Sequence, residues 1–384
     1  MTDPWEEFVR EASSSETAGY FERAPQADGR KGSSTWFAGA DDTFSLTARS
    51  EVSDVAEATE KFLQAGPRRA VIGYIGFDAF GLFEPALPHF SNSSPFPLGE
   101  FALASRIHAR ALPRRPIPAS RPVRILANRR DTLPRERFAS SVRSLRRDIR
   151  DGEAYQVVLA HRREWDRPDD LIERAGALRA TERYAFFFFL RFGDREIVGA
   201  SPESVVEIDG NRAVINPIAG TLPLGAAARG RRPLEADPKE LGEHRMLVDL
   251  ARNDLGRVAV PGTVRLLQRE ERVRYARLEH LVSRVGARLR RGTGPWEVLA
   301  ATFPAGTVSG APKIRATELL RREEGTWRGP YGGAVGLVRP HGRADWALTI
   351  RSAFAAGRRL STAAGAGIVY RSLSLIHISE PTRP

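Results

Sequence analysis

Cysteine is absent from the whole of the 384-residue chain. That excludes a disulfide scaffold, a cysteine nucleophile and any thiolate-ligated zinc or iron–sulfur centre, and it suits a reducing cytoplasm. Long hydrophobic runs are missing too: the longest, YAFFFFL at 184–190, is far too short to span a bilayer. The opening residues, MTDPWEEFVREASSS, are acidic and lack an apolar stretch, so they do not read as a secretory signal. Lysine is scarce. Only Lys31, Lys61, Lys239 and Lys313 occur, against 55 arginines. A net charge of +12 and a pI near 10.6 invite a nucleic-acid reading. The arginines, however, are spread along the chain as codon composition would spread them. No zinc-finger spacing is present, and no basic stretch interleaves with stacking aromatics. Neither nucleic acid nor membrane is expected as a partner.

What is present suffices for a large core, since 41% of residues are hydrophobic and 28% charged. The length suits two ordinary domains or one large one. We divide the chain into an N-terminal part of the same fold (1–111), a connector (112–133) rich in Pro and Arg at its start, a main region (134–369) and a tail (370–384). The first part carries short strand-like runs such as AVIGYIGF (70–77) between Gly, Pro and Ser clusters. A helix is predicted from Pro134 in its first turn, with Phe138, Val142, Leu145 and Ile149 in one stripe and Gly152 as its stop. Beyond it, strands alternate with helices. The runs 205–208 and 212–215 flank Asp209-Gly210-Asn211, a hairpin signal. Hairpins and meanders predict an α+β fold of large antiparallel sheets with helices outside, not a doubly wound one.

Four constellations carry possible chemistry. In the helix pattern over 237–254, Glu240 and Glu243 project from the side marked by the apolar Leu247 and Leu250. A lone Glu in a first turn ordinarily just complements the helix dipole. Two carboxylates aligned with a buried stripe are costly, and a hard cation such as Mg²⁺ is an economical answer. The segment 304–313 reads as a loop entering a helix over 312–322. Its N–H groups could bind an anion, although the Gly-Lys-Ser/Thr ending of a P-loop is missing. Glu203, in GASPESVV (199–206), is a general acid if buried and otherwise a turn residue. His280, alone on an apolar pattern, reads more readily as a core residue than as a catalyst.

Taken together, nine ordered blocks resemble the chorismate-utilising enzyme family, most of all its anthranilate synthase component I branch. They are AYQVVLAHR (154–162), GASPESVV (199–206), PIAGT (217–221), EHRMLVDLARNDLGRV (243–258), HLVS (280–283), FPAGTVSGAPK (303–313), GPYGGAVG (329–336), TIRSAF (349–354) and AGAG (364–367). A looser likeness surrounds YIGFDAFGLFE (74–84). The resemblance implies a two-layered α+β fold with an active site in a cleft between large sheets. It implies Mg²⁺ bridging protein and substrate, with Glu243 a direct ligand and Glu240 its neighbour. Glu203 would protonate the departing 4-hydroxyl of chorismate, and His280 would assist loss of pyruvate. Tyr331 and Arg351 would hold the side-chain carboxylate. Gly220, Thr221, Thr307 and Gly365 would line the pocket.

Two positions separate the branches of the family. Where isochorismate and salicylate synthases have a water-activating lysine, this chain has Gln156, which cannot act as a base. Where aminodeoxychorismate synthases commonly have a nucleophilic lysine, it has Ala219. Both differences favour ammonia attack at C2 and the product anthranilate, in tryptophan biosynthesis in the cytoplasm. The ammonia would come from a glutamine amidotransferase partner, because no cysteine here can hydrolyse glutamine. The alternatives are aminodeoxychorismate synthase component I and an impaired chorismate-binding protein. Two features depart from the pattern. No Leu-Leu-Glu-Ser type motif of a tryptophan-feedback pocket is seen. After residue 369 the family runs into a Glu-rich helix with a second metal carboxylate and a closing lysine, whereas here the text is YRSLSLIHISEPTRP, read as a disordered, non-family tail. Glu380 in it is not counted as a site, and weak Mg²⁺ binding and low turnover are the expected consequence.

Overall fold

The computed structural model describes residues 3–25, 30–87, 94–112, 129–169, 171–181, 184–223, 233–275, 278–370 and 372. Most of the connector, the tail from 373 with Glu380, and the side chain of Thr221 lie outside the described residues.

Two ten-stranded sheets, paired antiparallel throughout, form the body of the protein. The first runs from the short Gly310–Ala311 through Gln156–Asp166, Arg359–Val369, Ser352–Ala356, Arg195–Ser201 and Phe186–Phe192. It continues through Thr17–Arg23 and Gly32–Ala38 to His108–Leu112. The second runs from Ile218–Pro223 through Leu278–Arg288, Arg212–Ile215, Ser204–Asp209, Arg343–Leu348 and Ala334–Arg339. Ala70–Ile75, Gly99–Ala104 and Asp42–Leu46 follow, and Arg265–Tyr275 pairs with Leu278–Arg288 off this path. The first 112 residues thus give three of these strands to each sheet. The connector is not wholly a linker: Leu112 closes a strand, and Arg130–Asp131 pairs with Arg163 and Glu164.

The apolar run 184–190 is explained by its place in the middle of the first sheet. Phe187 and Phe189 pack with Trp5, Phe8 and Tyr20 on one face. Phe186, Phe188 and Leu190 pack with Phe21, Ile197 and Phe354 on the other. Successive side chains point to opposite faces, so a strand covered on both sides must be apolar at every position. The predicted helix is Arg135–Arg150, with Pro134 as its extended N-cap rather than within its first turn. Its stripe packs in one cluster with Ala316, Leu319 and Leu320 of the helix Lys313–Glu324. That helix begins one residue later than predicted, because Pro312 is extended and caps it.

Two neighbouring crossovers between the sheets decide where the chemistry lies. The chain leaves the first sheet at Ser201 and enters the second at Ser204, turning through Pro202 and Glu203. It returns from Leu348 to Ser352 through Thr349, Ile350 and Arg351. The crossovers are laced together: Leu348 N–H donates to the Glu203 carbonyl (3.0 Å) and Ala200 N–H to the Arg351 carbonyl (3.2 Å).

Candidate active site

Glu203 is both a turn residue and a buried one, 7% exposed at the first crossover. Its carboxyl accepts a hydrogen bond from Thr307 Oγ1 at 2.9 Å. Burial pushes its pKa up to about 8, against the lowering effects of the Thr307 bond and of the Arg351 charge. At neutral pH it therefore holds a proton, as a general acid must. Arg351 sits at φ +50°, an unusual conformation for a residue with a side chain, and it is exposed. Its field reaches both Glu203 and His280.

His280 lies buried in the strand Leu278–Arg288, and its Nδ1–H donates to the Gly220 carbonyl at 2.9 Å. Burial lowers its pKa, and the nearby Arg351 adds to that effect against the raising influence of the Gly220 carbonyl. A neutral ring with hydrogen on Nδ1 has its lone pair on Nε2, which is the arrangement of a base. Gly220 sits at φ +71°, and a Cβ there would come 3.2 Å from Glu240 Oε2. Glycine thus lets the strand after the hairpin approach the acidic helix. Ala219 is paired with Leu281, next to His280, on a half-buried strand position.

Glu240 and Glu243 belong to the helix Pro238–Gly256, which packs on Ile218–Pro223 and Leu278–Arg288. Sequence reasoning placed them with a buried stripe. Leu247 is buried, but both glutamates, in the first turns of the helix, are half-buried. The cost of an unpaired charge is correspondingly smaller. Among the described residues no cluster of three or more His, Cys, Asp or Glu could hold a metal. Mg²⁺ needs no such cluster, since it is usually bound through one or two carboxylates, several waters and the substrate. Two half-open carboxylates beside the glycine return fit that requirement.

Part of the backbone in the loop before the helix Lys313–Glu324 is turned inward. The N–H groups of Val308 and Ser309 both bond to the Ala305 carbonyl. The loop also joins the sheets: Thr307 reaches Glu203, while Gly310 and Ala311 pair with Val157 and Gln156. Gln156 is buried, and its Oε1 has no hydrogen-bond partner among the described residues. Tyr331 is buried in the turn between the helix Lys313–Glu324 and the strand Ala334–Arg339, its phenol pushed up to about 12 by burial. A Cβ on Gly365 would come 3.0 Å from the Tyr331 hydroxyl, so glycine permits this contact. Gly332 N–H donates to the Thr349 carbonyl and Thr349 N–H to that of Gly333, which ties the Tyr331 turn to the Arg351 crossover.

The structure therefore gathers Glu203, His280, Gly220, Glu240, Thr307 and Arg351 around the crossovers, with Gln156, Tyr331 and Gly365 joined to them through the 304–311 loop and the 329–333 turn. Sequence reasoning missed Arg328 and Asp78, which are buried, and the half-buried Glu324. Asp78 stood inside the 74–84 block, and Arg328 immediately before the 329–336 block.

The family model of chorismate binding enzymes matches residues 16–375. Anthranilate synthase component 1 of Methanothermobacter thermautotrophicus is 42% identical over 243 residues, which are 62% of this chain and 52% of that protein. The Pseudomonas putida anthranilate synthase component 1 is 40% identical over 272 residues, 70% of this chain and 55% of that protein. The chain thus spans about half the length of the curated relatives it matches. The crystal structure of anthranilate synthase component I from Streptococcus pneumoniae aligns with a TM-score of 0.80 at 27% identity, over 90% of this chain and 89% of that one. The menaquinone-specific isochorismate synthase of Escherichia coli shares the fold, with a TM-score of 0.73 at 18% identity over 98% of this chain and 88% of that one.

Proposed function

This chain belongs to the chorismate binding enzyme family, and from that premise we propose that it is the ammonia-using component I of an anthranilate synthase. The observation that carries the reading is Glu203, dry, protonated at neutral pH and flanked by Thr307, with the Arg351 field across it. Ammonia attacks C2 of chorismate, the ring double bonds shift, and the 4-hydroxyl leaves as water with the Glu203 proton. His280, neutral with its lone pair on Nε2, then takes the C2 hydrogen as the C3–O bond breaks, the departing enolpyruvate takes up a proton at its methylene carbon to become pyruvate, and the ring becomes aromatic. Arg351 and Tyr331 hold the side-chain carboxylate, where a planar guanidinium suits a bidentate pair. Gln156 offers an acceptor oxygen to ammonia but no base for water, and Ala219 offers no nucleophile. Glu243 and Glu240 would hold Mg²⁺, which when bound neutralises the ring carboxylate of the substrate.

No helix among the described residues is long and apolar enough to cross a membrane. The reading gives the chain a step of tryptophan biosynthesis in the cytoplasm, with a separate glutamine amidotransferase subunit as ammonia source. Incubation with chorismate, Mg²⁺ and an ammonium salt tests it, with products identified by mass and by anthranilate fluorescence. Anthranilate from ammonium, and none from glutamine with the isolated chain, is the expected result. Aminodeoxychorismate, isochorismate or salicylate as product would replace the reading, and equal use of glutamine would remove the partner from it.

A further inference from the structure

Arg328 is 5% exposed and spends its guanidinium on three separate segments. Nε and Nη2 grip the Glu324 carboxylate at 2.8 and 2.6 Å. Nη2 also donates to the Val158 carbonyl (2.6 Å), and Nη1 to the Val308 carbonyl (2.7 Å). The guanidinium plane lies 4.2 Å from the centroid of the Phe77 ring. Its own backbone is pinned as well. The N–H groups of Arg328 and Gly329 donate to the Asp78 carboxylate at 3.1 and 2.7 Å, and Phe77 N–H donates to the Gly329 carbonyl at 2.9 Å. Glu324 in turn accepts from Ala160 N–H at 2.7 Å.

Each point of attachment is a short step from the site. Val308 follows Thr307, the donor to Glu203. Val158 lies two residues beyond Gln156 on the same strand, and so on the same face. Ala160 is the cross-strand partner of Gly365, against which the Tyr331 hydroxyl rests. Tyr331 itself is three residues beyond Arg328. An ion pair whose only role is stability is often replaceable by well-packed apolar groups. A rigid fork that also holds two backbone carbonyls is not replaceable in that way, nor by the point charge of a lysine.

We infer that Arg328, locked by Glu324 and Asp78, is a positioning residue that sets the mutual spacing of Thr307, Gln156 and Tyr331 around the substrate. The inference rests on the reading of the site given above. It makes the N-terminal 74–84 segment part of the active-site scaffold, because Asp78 and Phe77 hold the turn that carries Tyr331. The chemistry itself stays with Glu203 and His280.

The test is Arg328→Lys and, separately, Glu324→Gln in the full chain, with melting temperature, chorismate affinity by equilibrium dialysis in Mg²⁺, and the pH profile of turnover. Arg328→Lys keeps the charge but loses the fork, and chorismate affinity is expected to fall at least about tenfold. The alkaline limb of the profile should move to higher pH, since loosening Thr307 removes a bond that holds the Glu203 pKa down. Glu324→Gln keeps size and an acceptor for Ala160, and should shift both readouts the same way by a smaller factor. If Arg328→Lys does not fold, the Glu324→Gln result decides. A lowered melting temperature with unchanged affinity and an unmoved limb overturns the inference. Loss of chorismate affinity in the variants, with a product other than anthranilate from the parent chain, would uphold the positioning role and remove only the product assignment.

Discussion

Glu203 and the pair Glu240 and Glu243 carry the same side chain, yet the first is enclosed in a crossover and the others lie half-buried on a helix. The difference is made by backbone topology. Glu203 is enclosed where the chain crosses from one sheet to the other, so its carboxyl keeps a proton, whereas Arg351 in the return crossover is exposed. The first turns of the helix Pro238–Gly256 stay half in solvent, where carboxylates suit a hydrated divalent cation. The same side chain thus suits an acid in one place and a cation-binding pair in the other, distinguished by burial.

The sharpest way to break this comparison is to remove the dry proton. Glu203→Gln should lower turnover by about 10²–10⁴-fold while chorismate still binds. The wild-type rate should fall as pH rises through about 8, as the acid loses its proton. Stability gives an independent check. The folded chain holds a proton between pH 4.5, the ordinary value, and about 8 that the unfolded chain has released, so stability falls as pH rises across that window. Glu203→Gln should therefore melt above wild type at pH 8 and level with it at pH 4. Equal melting temperatures at both values would show that Glu203 is not dry.

The wet pair is expected to give the next largest effect. Glu243→Gln should abolish Mg²⁺-dependent turnover with the melting temperature unchanged, and Glu240→Gln should raise the Mg²⁺ requirement by about 10–100-fold. Undiminished turnover in a chelator would sink the metal assignment.

Much of the fold was legible because its signals are local. The Asp209-Gly210-Asn211 turn, the stripe from Phe138 to Ile149 and the i, i+3 spacing of Glu240 and Glu243 each follow from a few neighbouring residues. The site was legible only as separate blocks. That Glu203 and Arg351 stand side by side depends on two crossovers far apart in the chain, which no period of 2 or 3.6 encodes. Half-burial of the glutamates was misjudged because Leu247 marks the buried side only further along the helix. That the 304–313 loop joins the sheets was not legible, because its partners Glu203 and Gln156 lie far away in the chain. Arg328 was overlooked because an arginine among 55 carries no signal until its partners are known.

A third carboxylate sharpens the contrast. Asp254, near the far end of the helix that carries Glu240 and Glu243, is dry like Glu203 but is paired with Lys313 Nζ at 2.7 Å. Burial raises its pKa and lowers that of Lys313, while each charge favours the other. Lys313 Nζ also donates to the Thr302 carbonyl at 2.9 Å. A compact ammonium fits a space where a planar guanidinium would not, in a chain that otherwise uses arginine almost throughout. Lys313→Arg should therefore destabilise by about 1–3 kcal/mol through overpacking, read as a lower melting temperature. An unchanged melting temperature would show that this dry site tolerates either cation.

The smallest expected effect isolates binding from proton transfer. A Cβ on Gly365 would meet Val158 Cγ1 at 2.7 Å and the Tyr331 hydroxyl at 3.0 Å. Val158 is buried and β-branched and yields little, and Tyr331 is a stiff ring, buried and fixed in its turn by the bonds of Gly332 and Gly333 to Thr349. Gly365→Ala should push the phenol by a few tenths of an ångström from the place where a carboxylate would meet both it and Arg351. The Glu203 carboxyl is held by Thr307 and has no bond to Tyr331. The expected outcome is a KM for chorismate raised by a few-fold, about 1 kcal/mol, with kcat and its pH dependence as in wild type. A fall in kcat at constant KM would mean that the Tyr331 side of the cleft takes part in the proton step, and that burial at the crossover does not separate acid from binding group.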